Sequence, residues 1–379
     1  MKQQKKLQWI KRVSPFLYDI ALAAVCIYLT VRISVWADLI LPFGVGAAVG
    51  LFFLLAYVLN LLTVNGVPCT KNKFCAYSVG ISVFVILYLF MTNILSDICQ
   101  AVLRLFIRNT EVLRLVAVWC GFACIFLTLL AVFGGMKHAK SLVTVRYASA
   151  CPKMKRSLRA VLLSDLHIGY FVGMKHIRNI VSRVNLLHPD IVLISGDIIN
   201  AGLTHECPQI ENVADLLSKL SSEKGTFAVV GNHDPSASDP AFRQFLQRAH
   251  IRLLDDEVFS DQDIQIVGRT TRTKPRKALA ALMAGLNREM PIIVLDHDPI
   301  GIREAAEEKA DYVLCGHTHK GQIFPLGLFV RFLYRRDEIW GMAKQGSTVS
   351  IVSAGAGFFS VPMRVCSDSE IVLLEMGRI

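Results

Sequence analysis

Residues able to hold a metal ion fall at the ends of short apolar runs in the second half of this 379-residue sequence. Asp165-x-His167 follows the run 160–163, and Gly196-Asp197 follows 191–194. Gly231-Asn232-His233-Asp234 follows 227–230, His297 follows 292–295, and Gly316-His317-x-His319 follows 312–314. On an extended backbone residues i and i+2 point the same way, so each x-spaced pair can face one centre. The glycines before Asp197, Asn232 and His317 permit sharp turns and close backbone approach. Oxygen and imidazole donors together suit borderline divalent ions such as Mn, Fe or Zn better than Ca or Mg. One ion takes only about four to six ligands, so the seven candidates Asp165, His167, Asp197, Asn232, His297, His317 and His319 predict two ions. Such a pair would lie about 3.5–4 Å apart with one carboxylate between them. A single histidine or aspartate of this kind is more often a core or capping residue. Repetition at successive run ends is what argues for a site.

The set DLH, GD, GNHD, a lone His and GHTH, in that order, resembles the calcineurin-like metallophosphoesterase superfamily over about residues 158–375. The stretches GHTHKGQIFPLG and VSAGAGFFSVPMR are similar to a membrane-associated bacterial branch containing YkuE-type phosphoesterases and UDP-diacylglucosamine pyrophosphohydrolases. The resemblance implies an αββα sandwich, with Asp165, His167 and His319 on one ion, Asn232, His297 and His317 on the second, and Asp197 bridging. It implies that His233 acts as general acid or phosphate-binding group, its ring oriented by Asp234. Lys320 stands where relatives usually have Gly; it would touch substrate phosphate or be solvated. Arg364 would hold a phosphate bidentately or form a plain salt bridge. Protein phosphatases of the superfamily carry GDxVDRG and GNHE, whereas residues 196–202 read GDIINAG and 231–234 read GNHD, which weakens that alternative.

Ligands delivered this way need parallel strands whose carboxyl ends share one edge. The apolar runs named above, with 264–267, 350–353 and 371–374, predict strands, and 175–187, 209–220, 240–250, 275–286 and 302–308 predict helices between them. Alternating strands and helices argue for an α/β layered domain.

The first half is different. Residues 1–150 hold 14 Lys+Arg against 4 Asp+Glu, while 151–379 hold 27 against 26. The net charge of +11 therefore belongs to the apolar half, which excludes a basic nucleic-acid groove in the polar half. Four stretches, 16–36, 39–62, 77–98 and 112–133, are each long enough to cross a hydrocarbon core. The expected organisation is a four-helix transmembrane region over 1–136, a basic linker over 137–157 and the metallophosphoesterase domain over 158–379. Arg32 is expected to snorkel to the interface. Basic residues before the first span, at Lys71 and Lys73, and from Lys137 onward place the catalytic domain in the cytoplasm, although Arg104, Arg108 and Arg114 vote the other way. Ten scattered cysteines form no disulfide or zinc-ribbon pattern, and only Cys315, beside the histidine cluster, stands near candidate chemistry.

Residues 324–336 are apolar, with Arg331, Arg335 and Arg336 at one end. They read as a core element or, in a membrane-tethered domain, as an interfacial lid that admits a lipid tail. The sequence thus points to a membrane-anchored phosphohydrolase acting on a phosphodiester or pyrophosphate of a lipid or lipid-linked substrate. The alternatives are a phosphatase or phosphodiesterase on soluble nucleotides or phosphoproteins, and a non-catalytic membrane scaffold or sensor. No oligomeric state is indicated.

Overall fold

The computed structural model describes residues 2–42, 44–52, 54–55, 73–200, 209–335 and 338–377. They divide into two compact units, Met1–Phe133 and Gly134–Ile379.

The first unit is helical: α1 (Lys2–Ile40), α2 (Lys73–Phe106) and the greater part of α3 (Thr110–Lys140). Within them Ile20–Ile40, Tyr77–Phe106 and Thr110–Lys140 are long and apolar enough to cross a membrane. Of the expected span over 39–62, residues 39–42, 44–52 and 54–55 are described, with 45–52 and 54–55 helical, and the remainder lies outside the described residues. Arg32, expected to snorkel to the interface, has a partner. Its guanidinium pairs with Asp97, whose other oxygen accepts from the Tyr28 hydroxyl at 2.6 Å. A charge in an apolar span is costly unless partnered, and here the neighbouring helix supplies the partner.

The second unit is an α/β domain of two six-stranded mixed sheets. The first runs β1 (Leu142–Ala150), β12 (Ser369–Gly377), β2 (Leu158–Leu163), β3 (Ile191–Ile194), β4 (Thr226–Ala228), β5 (Ile251–Leu253) in spatial order. The second runs β10 (Gly341–Gln345), β11 (Thr348–Val352), β9 (Tyr312–Cys315), β8 (Ile292–Leu295), β7 (Gln265–Gly268), β6 (Glu257–Ser260). Strands β2 to β5 are parallel, as are β7, β8, β9 and β11.

The central strands are apolar on both faces, as strands covered on both sides must be. Ala160, Leu162, Leu193 and Phe227 of the first sheet share one buried cluster with Ile266, Ile293, Leu295 and Leu314 of the second. The opposite face of the first sheet, through Val161, Leu163, Val192 and Ile194, packs on α4 (Met174–Leu186), α5 (Ile210–Leu217) and α6 (Pro240–Arg248). The opposite face of the second, through Ile292, Val294 and Val313, packs on α7 (Leu279–Met283) and α8 (Ile302–Glu307).

The stretch expected as a basic linker, 137–157, instead contains the end of α3 and the whole of β1. Its nine residues pair in parallel register with β12, from Leu142 opposite Ser369 to Ala150 opposite Gly377.

Candidate metal centre

The ligand-bearing strands β2, β3 and β9 end in left-handed turns. Asp165 (φ 51°), His167 (46°), Asp197 (51°), His317 (73°) and His319 (49°) hold positive φ without being glycine. Each costs an L-residue about 1–2 kcal/mol, and such residues persist only where the surrounding structure dictates them. The sheets supply that compulsion across their shared edge. The Asp165 carboxylate accepts from the Ser164 hydroxyl and from the His317 backbone N–H at 3.0 Å. His297 Nδ1 lies 2.7 Å from the Ser195 carbonyl, and Asp197 Oδ1 accepts from the His233 N–H at 2.8 Å. Gly231 and Gly316 are required: a Cβ on either would collide with the carboxylate of Asp197 or with the Ser164–Asp165 pair.

Asp165, His167 and His319 form one group and Asp197, His297 and His317 another, the donor atoms of each within 4.8 Å of one another. In the first, His167 Nε2 and His319 Nε2 are 3.1 Å apart, and Asp165 Oδ1 is 3.4 Å from His319 Nε2. In the second, His317 Nδ1, Asn232 Oδ1 and Asp197 Oδ2 lie 3.1, 3.0 and 3.2 Å from His297 Nε2. Asp197 Oδ2 also lies 3.8 Å from His167 Nε2, so one oxygen stands between the groups. Donors about 2.1 Å from a shared ion are themselves about 3–3.5 Å apart. The residues fit divalent ions, and the Ser195 carbonyl takes the Nδ1–H of His297 so that Nε2 is left to coordinate.

Protonation states agree. Burial pushes His167, His317 and His319 below the ordinary imidazole range, keeping them neutral as ligands must be. Burial would likewise raise Asp197, but the charge and hydrogen bond of His297 outweigh it and hold the carboxyl well below its usual range. His297 is raised to about 10 because Asp197 overrides the desolvation that would lower it. A cation between these two competes with that proton, the ordinary contest of metal and proton for an imidazole.

Two expected roles change. Asp234 does not orient the His233 ring: its two oxygens accept from the Ile199 and Gly231 N–H groups, both at 2.8 Å. Burial raises its carboxyl to about 7. The His233 ring lies instead against Phe359, centroids 4.9 Å apart, and faces the His167 ring at 5.2 Å. Arg364 neither faces a substrate nor forms a plain salt bridge. It is fully buried, its Nη2 donating to the Ala354 and Gly357 carbonyls at 2.7 Å each. Both Nη2 hydrogens are thereby used, so its 3.4 Å approach to His319 Nδ1 leaves that imidazole free to present Nε2. Cys315 is buried, its thiol pushed well up by burial and then by Asp296, an inert core position.

Lys320 meets neither expectation in full. Its ammonium sits over the Trp340 indole, 3.5 Å from the ring centroid, and lines a 470 Å³ pocket with Arg331 and Ile339. Two positioning residues have no counterpart in the sequence reading: Asn200, whose Oδ1 is 3.3 Å from His167 Nδ1, and Phe359. Neither has a sequence signal, because each is defined by what it meets across a turn.

Replacing Arg364 by Met should leave buried carbonyls of the 354–357 turn without donors. At about 1–3 kcal/mol for such a loss and about 2–4 °C per kcal/mol, the expected fall in Tm is about 2–12 °C. Thermal unfolding of the two proteins checks this, and an unchanged Tm would contradict the assigned role.

Residues 158–321 match the family model for calcineurin-like phosphoesterases. An uncharacterised metallophosphoesterase of Helicobacter pylori (strain ATCC 700392 / 26695) is 31% identical over 231 residues, 59% of this chain and 61% of that one. A transmembrane protein with metallophosphoesterase domain from Danio rerio is 30% identical over 289 residues, 68% of this chain and 62% of that one. The metallophosphoesterase YkuE of Bacillus subtilis (strain 168) is 24% identical over 252 residues, covering 60% and 82%. The chain spans about three fifths of the length of the first two relatives. With five ligand-bearing turns converging at one edge and a family match running from β2 to the histidine pair after β9, residues 158–321 are a calcineurin-like metallophosphoesterase domain.

Proposed function

We propose that this chain is a membrane-anchored phosphohydrolase that cleaves a phosphodiester or diphosphate bond in a lipid or lipid-linked substrate, with two divalent ions of the Mn, Fe or Zn class. One observation carries the reading: Asp197 Oδ2 lies 3.2 Å from His297 Nε2 and 3.8 Å from His167 Nε2, between two three-residue donor groups. Asp165, His167 and His319 would hold one ion, Asn232, His297 and His317 the other, and Asp197 both. When bound, such ions lower the pKa of water and offset the charge on phosphoryl oxygens. The protein's own groups complete the chemistry. Asn232, its oxygen directed at His297, keeps an amide N–H for a phosphoryl oxygen. His233, half-buried beside Phe359, gives a proton to the departing oxygen.

The shared core of the two sheets supports an αββα sandwich, and the three apolar helices support anchoring. A fourth span over 39–62 and a cytoplasmic catalytic domain complete the proposed topology, supported by the basic residues of α1 that precede its apolar span Ile20–Ile40 and by those from Lys137 onward. A membrane-impermeant thiol reagent should then leave the exposed Cys366 unmodified in intact cells and label it once they are opened. Labelling in intact cells would turn the domain outward. Cys207 lies outside the described residues.

The function itself is tested by assaying the full chain in detergent, with Mn added, on lipid-linked diphosphates, phospholipids and soluble nucleotides. Turnover should be fastest on a lipid-borne substrate. Preference for a nucleotide would replace the lipid reading, and failure on every substrate, bis(p-nitrophenyl) phosphate included, would refute the enzyme.

A further inference from the structure

The helix α9 (Leu326–Leu333), with sequence LGLFVRFL, buries none of its eight residues. Phe329 is 62% exposed, Phe332 86% and Leu333 77%. Leu326, Phe329, Phe332 and Leu333 follow the i, i+3, i+6, i+7 pattern that lines one helix face. An apolar face of this size is unusual on a surface that meets only water.

The helix is also tied to the centre. Gly321, in the turn after His319, packs so closely on Gly327 of α9 that a side chain on it would collide with the helix backbone. Tyr334, one residue past the helix, lies with its ring 6.1 Å from that of His317. Between helix and ligand turn sits the pocket lined by Lys320, Arg331, Ile339 and Trp340. Arg331 and Arg335 are exposed, and among the described residues neither they nor Lys320 forms an ion pair with a carboxylate. A fully apolar face, unpaired cations beside it and a nearby pocket over a metal centre all call for one kind of surface: apolar within, anionic at its edge.

We propose that α9 lies in the headgroup–acyl boundary of an anionic leaflet of the bilayer that α1, α2 and α3 are long and apolar enough to cross. Leu326, Phe329, Phe332 and Leu333 enter the acyl region, and Arg331 and Arg335 meet lipid phosphates. The pocket of Lys320 and Trp340 then opens at headgroup height. A phosphate carried by a lipid reaches the centre without leaving its leaflet. Docking stands on the exposure and charge of α9, while its use in catalysis rests on the phosphohydrolase reading.

The test places a photoreactive benzophenone amino acid at position 332 of the full chain, in nanodiscs of phosphatidylcholine and phosphatidylglycerol, with Ala280 on α7, also exposed, as the control position. After irradiation, mass spectrometry should find phospholipid adducts on the peptide carrying residue 332 and none at 280. Exchange of Arg331 and Arg335 for Gln should lower the adduct yield in the mixed discs and leave it unchanged in discs of phosphatidylcholine alone. Absence of lipid adducts at 332, or cross-links there to a second copy of the chain, would overturn the docking. Hydrolysis of bis(p-nitrophenyl) phosphate, a substrate without acyl chains, is followed on the same samples. Lipid adducts without hydrolysis sink the enzyme and keep the docking; hydrolysis without adducts does the reverse.

Discussion

Asp197→Asn should abolish nearly all turnover and leave neither ion firmly bound, because one side chain serves both donor groups. The substitution keeps shape but adds an N–H2, and the site has no place for it. At the Oδ1 position it would oppose the His233 N–H that now donates there at 2.8 Å. At the Oδ2 position it would point hydrogens at His297 Nε2, 3.2 Å away, and at His167 Nε2, 3.8 Å away. Metal ions are worth several kcal/mol of transition-state stabilisation, and at 1.36 kcal/mol per tenfold the loss is about 10³-fold or more. Metal content per chain by elemental analysis, alongside hydrolysis of bis(p-nitrophenyl) phosphate, checks both halves. Two ions retained with near-normal turnover would remove Asp197 from the bridging position.

His233→Asn should separate proton transfer from metal binding. The ring touches Phe359 and His167, and no donor atom of His233 belongs to either ligand group. Its backbone N–H, which does hold Asp197, survives the change. Metal content should therefore stay at the parent value while turnover falls by about 10²–10⁴, the usual contribution of a general acid. The fall should be smaller with a p-nitrophenolate leaving group, which hardly needs a proton. Equal losses on alkyl and nitrophenyl esters would instead make His233 a phosphate-binding residue.

The ligand-bearing strands were legible because they are buried on both faces: VLL, IVLI, IIVL and YVLC are uninterrupted apolar runs with polar residues only at their ends. The candidate ligands were legible for the same reason, since polarity that begins where a strand stops has few structural explanations. Contacts between distant segments were not. β1 alternates in burial and is flanked by lysines and arginines, so its sequence resembles a linker until β12 lies alongside it. Arg32 meets Asp97 across 65 residues of sequence, a pairing that neither helix announces by itself. Arg364 is an arginine satisfied mainly by carbonyls, and carbonyls are the one partner that sequence never displays. The segment around α9 shows the limit from the other side, because its composition suits a protein core and a membrane surface equally well.

The position of β12 also orders events during synthesis. It sits between β1 and β2, pairing with the first along nine residues and with the second along five. Until Ser369–Gly377 has left the ribosome, β1 has no partner and β2, the strand that leads to Asp165 and His167, remains an open edge. The strands carrying every candidate ligand are already made by then. The domain must wait with its metal-binding turns complete and its first sheet unsealed, the state in which an exposed edge is most prone to pair with the wrong chain. A chain ending anywhere between His319 and Ser369 therefore carries the whole candidate ligand set on a first sheet whose β2 edge is still open.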